Sequence, residues 1–351
     1  MTPKLNLYTV DLTELAGLLR AWEAAPDAAP LYARAIWHAL YREYVTDLHD
    51  VTELPRDLLE CLAMHVYIPD PLLVTETVSA DQNTRKHLLN LRDGARIETV
   101  LLRYRERYTV CVSTQVGCPC ACEFCATGRM GFIRRLSMDE IVAQVVHFQR
   151  HLKASHHRLS NVVFMGMGEP LLNEQETLGA VRRLVDPRGL GFAPGRITLS
   201  TVGIVPGICH LAEIHARLPI KLAVSLHAAT DELRTKLMPI NAVYPLKELF
   251  AALRDYADHT GRRVFVEWVM IKGINDTPEQ AEALVGWLTE LPSHVNLIQL
   301  NPAPGYDEAR SDPETVQAFA EILDRHQIPH TMRQRRGAGI EAGCGQLATN
   351  G

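Results

Sequence analysis

The sequence predicts an α/β fold, a parallel sheet with helical crossovers, behind a mainly helical N-terminal segment. Three observations carry that prediction. Beyond residue 105, short β-branched runs alternate with amphipathic helical patterns. Before residue 72, apolar residues recur at three-to-four spacing instead. The 351 residues are 47% hydrophobic and 22% charged, enough to bury a sizeable core and too apolar for general disorder.

In chain order, DLTELAGLLRAWEAA opens at Asp11, an N-cap with Glu14 three residues on. LYARAIWHALYREYV and PRDLLECLAMHVY continue the helical spacing, and the proline-containing YIPDPLLV breaks it near residue 72. The period then changes. KHLLNL and ARIETVLLRY flank Asp93-Gly94, a hairpin turn signal, and RYTVCVSTQV follows as a strand. Five further strand-like runs come next: NVVFMGMG, RITLSTV, IKLAVSLHA, VFVEWVMI and HVNLIQLN. Patterns such as SMDEIVAQVVHFQRHLK and PLKELFAALRDYADH separate them, so six strands with crossovers are expected. Periodicity alone leaves a partly closed barrel and a flat doubly wound sheet both open. The strand-like HTMRQ leads into a glycine-rich tail, RRGAGIEAGCGQLATNG. The predicted division is an accessory domain over 1–80 and a core over 81–351 that includes the hairpin and the tail.

The N-terminus has no basic stretch leading into an apolar one, and no run of about 18 apolar residues occurs. A cytoplasmic protein with reduced thiols and no membrane contact is therefore expected. Eight cysteines are too few for a disulfide scaffold in a chain this long, and five of them fall between 111 and 125. Cys118, Cys122 and Cys125 form C-x-x-x-C-x-x-C directly after a strand. Three thiolates at that spacing suit a cubane iron–sulfur cluster with one iron left open. A closed zinc site normally needs a second ligand pair, which does not follow at zinc-ribbon spacing; unliganded core cysteines are the third alternative. Cys120 could add a ligand, but Pro119 before it favours a bystander.

Ligands in α/β folds gather where strands deliver their C-terminal ends. Gly166, Gly168 and Glu169 follow NVVFM, Ser200 and Thr201 follow RITL, Ser225 and His227 follow KLAV, and Asn301 follows LIQL. Loops collect such residues in any protein, so the distribution gains weight only beside the cysteines.

With Phe124 before its last cysteine, GCPCACEFCATGRMGF resembles the cluster loop of radical S-adenosylmethionine (SAM) enzymes. Together with FMGMGEPLLN, RITLSTVGIVPG, AVSLHA, MPIN, GIND, LNPAPG and GCGQL, the chain resembles the RlmN/Cfr family of RNA methyltransferases from about Arg92 to Leu347. That resemblance implies a partial (β/α)6 TIM-like barrel, one [4Fe-4S] cluster on Cys118, Cys122 and Cys125, and SAM held by Gly168, Glu169, Ser200, Ser225, Leu226, His227 and Asn301. It implies that Cys344 accepts a methyl group from one SAM. A radical made from a second SAM activates that methyl for addition to an adenine ring carbon. Cys111 then resolves the protein–RNA adduct by forming a disulfide with Cys344, and Glu98 accepts the proton that restores the aromatic base. The implied substrate is an adenosine of large-subunit (23S) rRNA, also of tRNA, methylated at C2, with C8 the product of relatives. An electron donor such as flavodoxin or ferredoxin is implied, and a monomer is expected. Two departures from the family pattern stand out: Ala338-Gly339 replaces a polar pair, and Cys120 is an addition.

Two rival readings differ in testable ways. A radical SAM enzyme acting on a protein, an activase or maturase, needs no methyl-carrying cysteine and leaves Cys111 and Cys344 unexplained. A metal-stabilised RNA-binding module without catalysis leaves the strand-end polar residues unexplained. The net charge of −5 does not exclude RNA, because nine basic side chains face four acidic ones over 101–160, and Arg333, Arg335 and Arg336 precede Cys344.

Overall fold

A computed structural model of the chain describes residues 4–22, 27–303 and 305–349. The N-terminal segment pairs a short strand β1 (Leu5–Asn6) with β2 (Val66–Tyr67) around the helices α1 (Leu12–Ala21), α2 (Ala29–His38) and α3 (Arg56–His65). The capping box expected at Asp11 is present: Asp11 Oδ1 accepts from the Thr13 and Glu14 N–H groups at 2.7 and 2.8 Å. Leu15, Leu19, Ile36, Leu40 and Leu62 turn inward to form the segment's apolar stripe.

Three antiparallel strands follow, β3 (Leu72–Val78), β4 (Thr84–Asn90) and β5 (Arg96–Tyr104), with the turn at Asp93-Gly94 where the sequence places it. No strand is predicted at β3. It is an edge strand with five exposed residues in a row, so it lacks the inward–outward alternation that signals a strand. Strand β6 (Arg107–Cys111) pairs antiparallel with β5 on one side and parallel with β9 on the other. The run TVCVSTQV is therefore not one strand. Its second half leaves the sheet as β7 (Gln115–Gly117) and pairs with β8 (Phe132–Arg135) across the short helix α4 (Ala126–Arg129). Gly117, at φ +74°, lets the Cys118 N–H reach the Gly131 carbonyl at 2.9 Å, and this begins the cysteine loop.

The alternating region then runs α5 (Met138–Lys153), β9 (Leu159–Phe164), α6 (Glu174–Val185), β10 (Ile197–Thr201), α7 (Val205–Ile214), β11 (Lys221–Ser225), α8 (Asp231–Leu237), α9 (Leu246–Thr260), β12 (Val264–Met270), α10 (Pro278–Leu288), β13 (Ser293–Gln299), α11 (Pro313–Arg325) and β14 (His330–Met332). The ten-stranded sheet has the order β14-β13-β12-β11-β10-β9-β6-β5-β4-β3 and is parallel from β6 to β14. Seven strands are thus parallel rather than six, because HTMRQ supplies β14 at the edge. This is an open, partial β/α barrel extended by an antiparallel hairpin region. One face of its parallel strands is apolar, with Val162, Leu199, Val224, Val266 and Leu297 all buried; the other face carries Ser200, Ser225 and Glu267 to the cavity described below.

Candidate active site

The parallel strands end on one cavity of about 150 Å³. Cys118, Cys122, Cys125, Gly168, Glu169, Ser200, Ser225, His227, Asn301 and Cys344 all line it. Residues far apart in sequence meet here because each follows the C-terminal end of its strand or belongs to a loop packed over those ends.

The acidic wall is fixed by backbone donors. Glu169 is 2% exposed; its Oε1 accepts from the Leu171 N–H at 2.9 Å and its Oε2 from the Val202 N–H at 2.7 Å. Burial pushes its carboxyl up to about 7, while those two donors pull the other way. Gly168 before it sits at φ +98°, and a Cβ there would lie 2.5 Å from Gln115 Cβ, so no larger residue fits. Gln115 also accepts from the Glu169 N–H at 2.9 Å. His227 is buried at φ +59°, with Nδ1 accepting from the Val269 N–H at 3.0 Å, so its ring proton is on Nε2. Burial, reinforced by Arg234, lowers it to about 3, so the ring is neutral. Phe124, inside the cysteine loop, meets the ring edge-on at 4.8 Å.

The cysteine loop forms the facing wall. No three His, Cys, Asp or Glu side chains among the described residues converge as ligands of a single ion would. Cys118, Cys122 and Cys125 instead share the cavity wall, with Leu237, Met238 and Ile271 in the apolar cluster behind the loop. Three thiols spread over one wall, opposite a buried carboxylate, fit a multi-iron cluster with an open corner. Burial raises the Cys122 and Cys125 thiols. Cys120 is buried against Cys118, whose thiol its hydrogen bond lowers, and it does not line the cavity. All eight cysteines are free.

After a 3-10 turn at Ala338–Ile340, residues 341–349 of the C-terminal tail close the third side without strand or helix. Ala126 N–H donates to the Gly345 carbonyl at 2.7 Å, Thr127 Oγ1 to Leu347 at 2.6 Å, and Asn301 Nδ2 to Cys344 at 3.2 Å. Gln346 folds the tail back, accepting from the Gly343 N–H at 3.0 Å and donating to Pro302 at 2.8 Å. Cys344 is exposed at the cavity.

Glu98, Cys111 and Leu226 do not line the cavity. Glu98 is buried on β5, ion-paired with Lys86 at 2.8 Å, and its Oε2 accepts from the Ala348 N–H at 2.9 Å; the tail therefore connects it to Cys344. Burial raises its carboxyl against the pull of Lys86. Cys111 ends β6; burial, and then the neighbouring Cys344, push its thiol up to about 12. Leu226 is core, its side chain buried and its N–H donating to the Glu267 carbonyl at 3.1 Å.

Sequence reasoning missed several residues of this site. Glu267 and Arg333 line the cavity, joined at 3.2 Å, and Asn296 Nδ2 donates to Glu267 at 2.8 Å. Burial works against the Arg333 charge, but Cys344 and Glu267 sustain it. A lone acid in the apolar run VFVEWVM was the available signal for Glu267. Arg333 is hidden in a basic run, and Gln115 in a strand-like one. The basic count over 101–160 overstates the free positive surface. Arg134 is held by Asp93 and Glu140, Arg150 by Asp70, and Lys153 by Glu43.

Comparison with known proteins agrees with this geometry. Residues 112–286 match the Radical SAM superfamily. The dual-specificity RNA methyltransferase RlmN 1 of Myxococcus xanthus is 48% identical, the match covering 97% of this chain and 94% of that protein. A probable dual-specificity RNA methyltransferase RlmN of Chloroflexus aurantiacus is 46% identical over 97% of this chain and 92% of its own length. The crystal structure of a radical SAM methyltransferase from Sphaerobacter thermophilus superposes with a TM-score of 0.92 at 45% identity, covering 98% of this chain and 99% of that one. Near-full-length identity at this level, on the same barrel, means that this chain belongs to the RlmN/Cfr family of radical SAM RNA methyltransferases.

Proposed function

We propose that this protein methylates C2 of an adenosine in 23S rRNA, and also in tRNA, with Cys344 as the methyl carrier. The observation that supports it most is the position of Cys344: an exposed thiol on a pinned tail, lining the same cavity as the three-cysteine loop. A bound [4Fe-4S] cluster and SAM supply the methyl group and the one-electron bond cleavage that generates a radical. Cys118, Cys122 and Cys125 hold the cluster. Glu169 would hold the ammonium of SAM, whose charge would favour the ionised carboxylate against the burial that raises it. Gly168, Ser200, Ser225, Leu226, His227 and Asn301 bind the remaining polar groups, and neutral His227 offers Nε2–H as a donor.

Glu98 is suited to take the proton that the modified adenine loses. Burial raises its affinity for a proton, and Lys86 keeps it ionised until then. The Cys111 thiolate, next to Cys344, attacks the Cys344 sulfur; the S–C bond to the RNA breaks, its carbon keeps the electron pair and takes a proton to become the methyl, and an external dithiol reduces the resulting disulfide for the next turnover. The target base leaves its stack to reach the cavity. The accessory segment over 1–80 grips RNA outside the cavity, electrons come from a flavodoxin or ferredoxin, and the protein works as a monomer in the cytoplasm.

Anaerobic reconstitution with iron and sulfide, followed by SAM and unmodified rRNA and tRNA fragments, tests this reading. A methyl on Cys344 and methylated adenosine are expected, with mass spectrometry separating C2 from C8 products. An unmethylated Cys344 beside intact RNA overturns the reading. Cys111→Ala is expected to trap a covalent protein–RNA adduct; recovery of this variant free of RNA after turnover removes Cys111 from the resolving role.

A further inference from the structure

Arg234, on α8, is wholly buried yet does not line the cavity. Each of its nitrogens is bonded. Nε donates to the Leu226 carbonyl at 3.2 Å, Nη1 to Asn241 Oδ1 at 2.8 Å, and Nη2 to the Val202 and Ser225 carbonyls at 2.6 and 3.3 Å. The three carbonyls belong to the ends of β10 and β11, which carry the Val202 N–H on Glu169 and the side chains of Ser225 and His227.

All four acceptors are neutral oxygens. The carboxylate nearest in the hydrogen-bond chain, Asp231, is reached only through Asn241, whose Nδ2 donates to it at 2.9 Å. A buried cation is ordinarily paired with an anion, because desolvation of an isolated charge costs several kcal/mol or more. Burial lowers Arg234 to about 10, which still leaves it charged at neutral pH. The helix that carries Arg234 reaches the cysteine loop instead. The Glu123 N–H donates to the Leu237 carbonyl at the end of α8 at 3.0 Å, so this helix backs the cysteine loop beside Cys122. Leu237 packs in one apolar cluster with Cys118, Cys122 and Phe124, and Met238, whose N–H donates to the Arg234 carbonyl at 2.7 Å, lines the cavity.

We propose that Arg234 is a positioning residue whose buried charge is the standing counter-charge to the anionic iron–sulfur group held by Cys118, Cys122 and Cys125. The inference rests on the assignment of that group to the three cysteines. Adding one electron increases the negative charge next to a fixed cation in a poorly screened interior, so Arg234 favours the reduced state and raises the midpoint potential. Its hydrogen-bond fork simultaneously holds the two strand ends in register.

The test compares the full chain with Arg234→Gln and Arg234→Lys, each reconstituted with iron and sulfide and titrated anaerobically with dithionite under EPR detection. In Arg234→Gln the reduced-to-oxidised equilibrium is expected to fall at least tenfold, a shift of about 59 mV to more negative potential for a one-electron couple. Arg234→Lys, which keeps the charge and loses the fork, is expected within about threefold of the parent. A glutamine variant at the parent potential overturns the proposal, as does a lysine variant shifted as far as the glutamine one. If the glutamine variant fails to retain iron, iron per chain decides: retention by lysine alone supports the proposal, and equal loss in both overturns it. A parent chain that takes up no iron overturns the cluster assignment itself, whereas a loaded parent with indistinguishable variants overturns only the role of Arg234.

Discussion

The cavity has two kinds of wall, and they are built differently. The strand-end wall, with Glu169, Ser200, Ser225 and His227, grows out of a parallel sheet. Glu169 and His227 are fixed by backbone donors, and Arg234 bonds the carbonyls of the strand ends. The tail wall, with Cys344, Gly345 and Leu347, has no strand or helix and is held by a few discrete hydrogen bonds. A rigid wall suits binding, because preformed geometry avoids an ordering cost when the ligand arrives. A wall pinned at separate points suits a residue that must serve two partners in turn, because single hydrogen bonds contribute only about 1 kcal/mol each.

The largest expected effect comes from the cysteine loop, which completes the cavity between these two walls. Cys122→Ala should lose iron on reconstitution and reduce RNA methylation to background, while the fold persists by circular dichroism; retained iron would make Cys122 a packing residue. Next in size, Gly168→Ala places a methyl 2.5 Å from Gln115 Cβ at φ +98°. It should cost about 2–4 kcal/mol in chemical denaturation. A neutral outcome would mean that the strand-end wall yields as readily as the tail.

Third is a pH dependence carried by Glu169. Its folded pKa, about 7, lies above the ordinary 4.5, so the folded chain binds a proton more tightly than the unfolded one. Stability is then lost as pH rises from about 4.5 through about 7, by up to about 3 kcal/mol from this group. His227 works in the opposite direction: lowered to about 3, it adds stability as pH rises from about 3 to about 6.5. The measurable quantity is therefore the difference between Glu169→Gln and the parent. That gap should shift in favour of the glutamine variant between pH 5 and 7.5 and stay flat if Glu169 is unperturbed. The smallest effect tests the tail. Thr127→Val removes the 2.6 Å bond to Leu347 and should cost about 1 kcal/mol, read as roughly fivefold faster limited proteolysis of the tail with the barrel intact. An unchanged rate would show that the remaining bonds hold the tail without it.

What could be read in advance divides along the same line. Asp11, Asp93-Gly94 and the helical crossovers announce themselves through local chemistry, since caps, turns and periodicity depend on near neighbours. The cysteine loop and the polar strand ends are legible because each is a short pattern at a known place in an α/β unit. Strand β3 was missed because an exposed edge strand carries no burial pattern, and the break after Cys111 because a strand leaving one sheet for another keeps its composition.

The α/β class, the helical N-terminal segment and the types of residue available for chemistry are all legible in the amino-acid order. All of these follow from spacing and composition within a few residues. Long-range packing alone brings Cys344 to Asn301, the tail to Glu98, and Arg234 into the interior with only neutral oxygens as acceptors. The physical reason is that a buried charge, or a tail held by scattered hydrogen bonds, takes its meaning from partners tens or hundreds of residues away, and no local pattern records them.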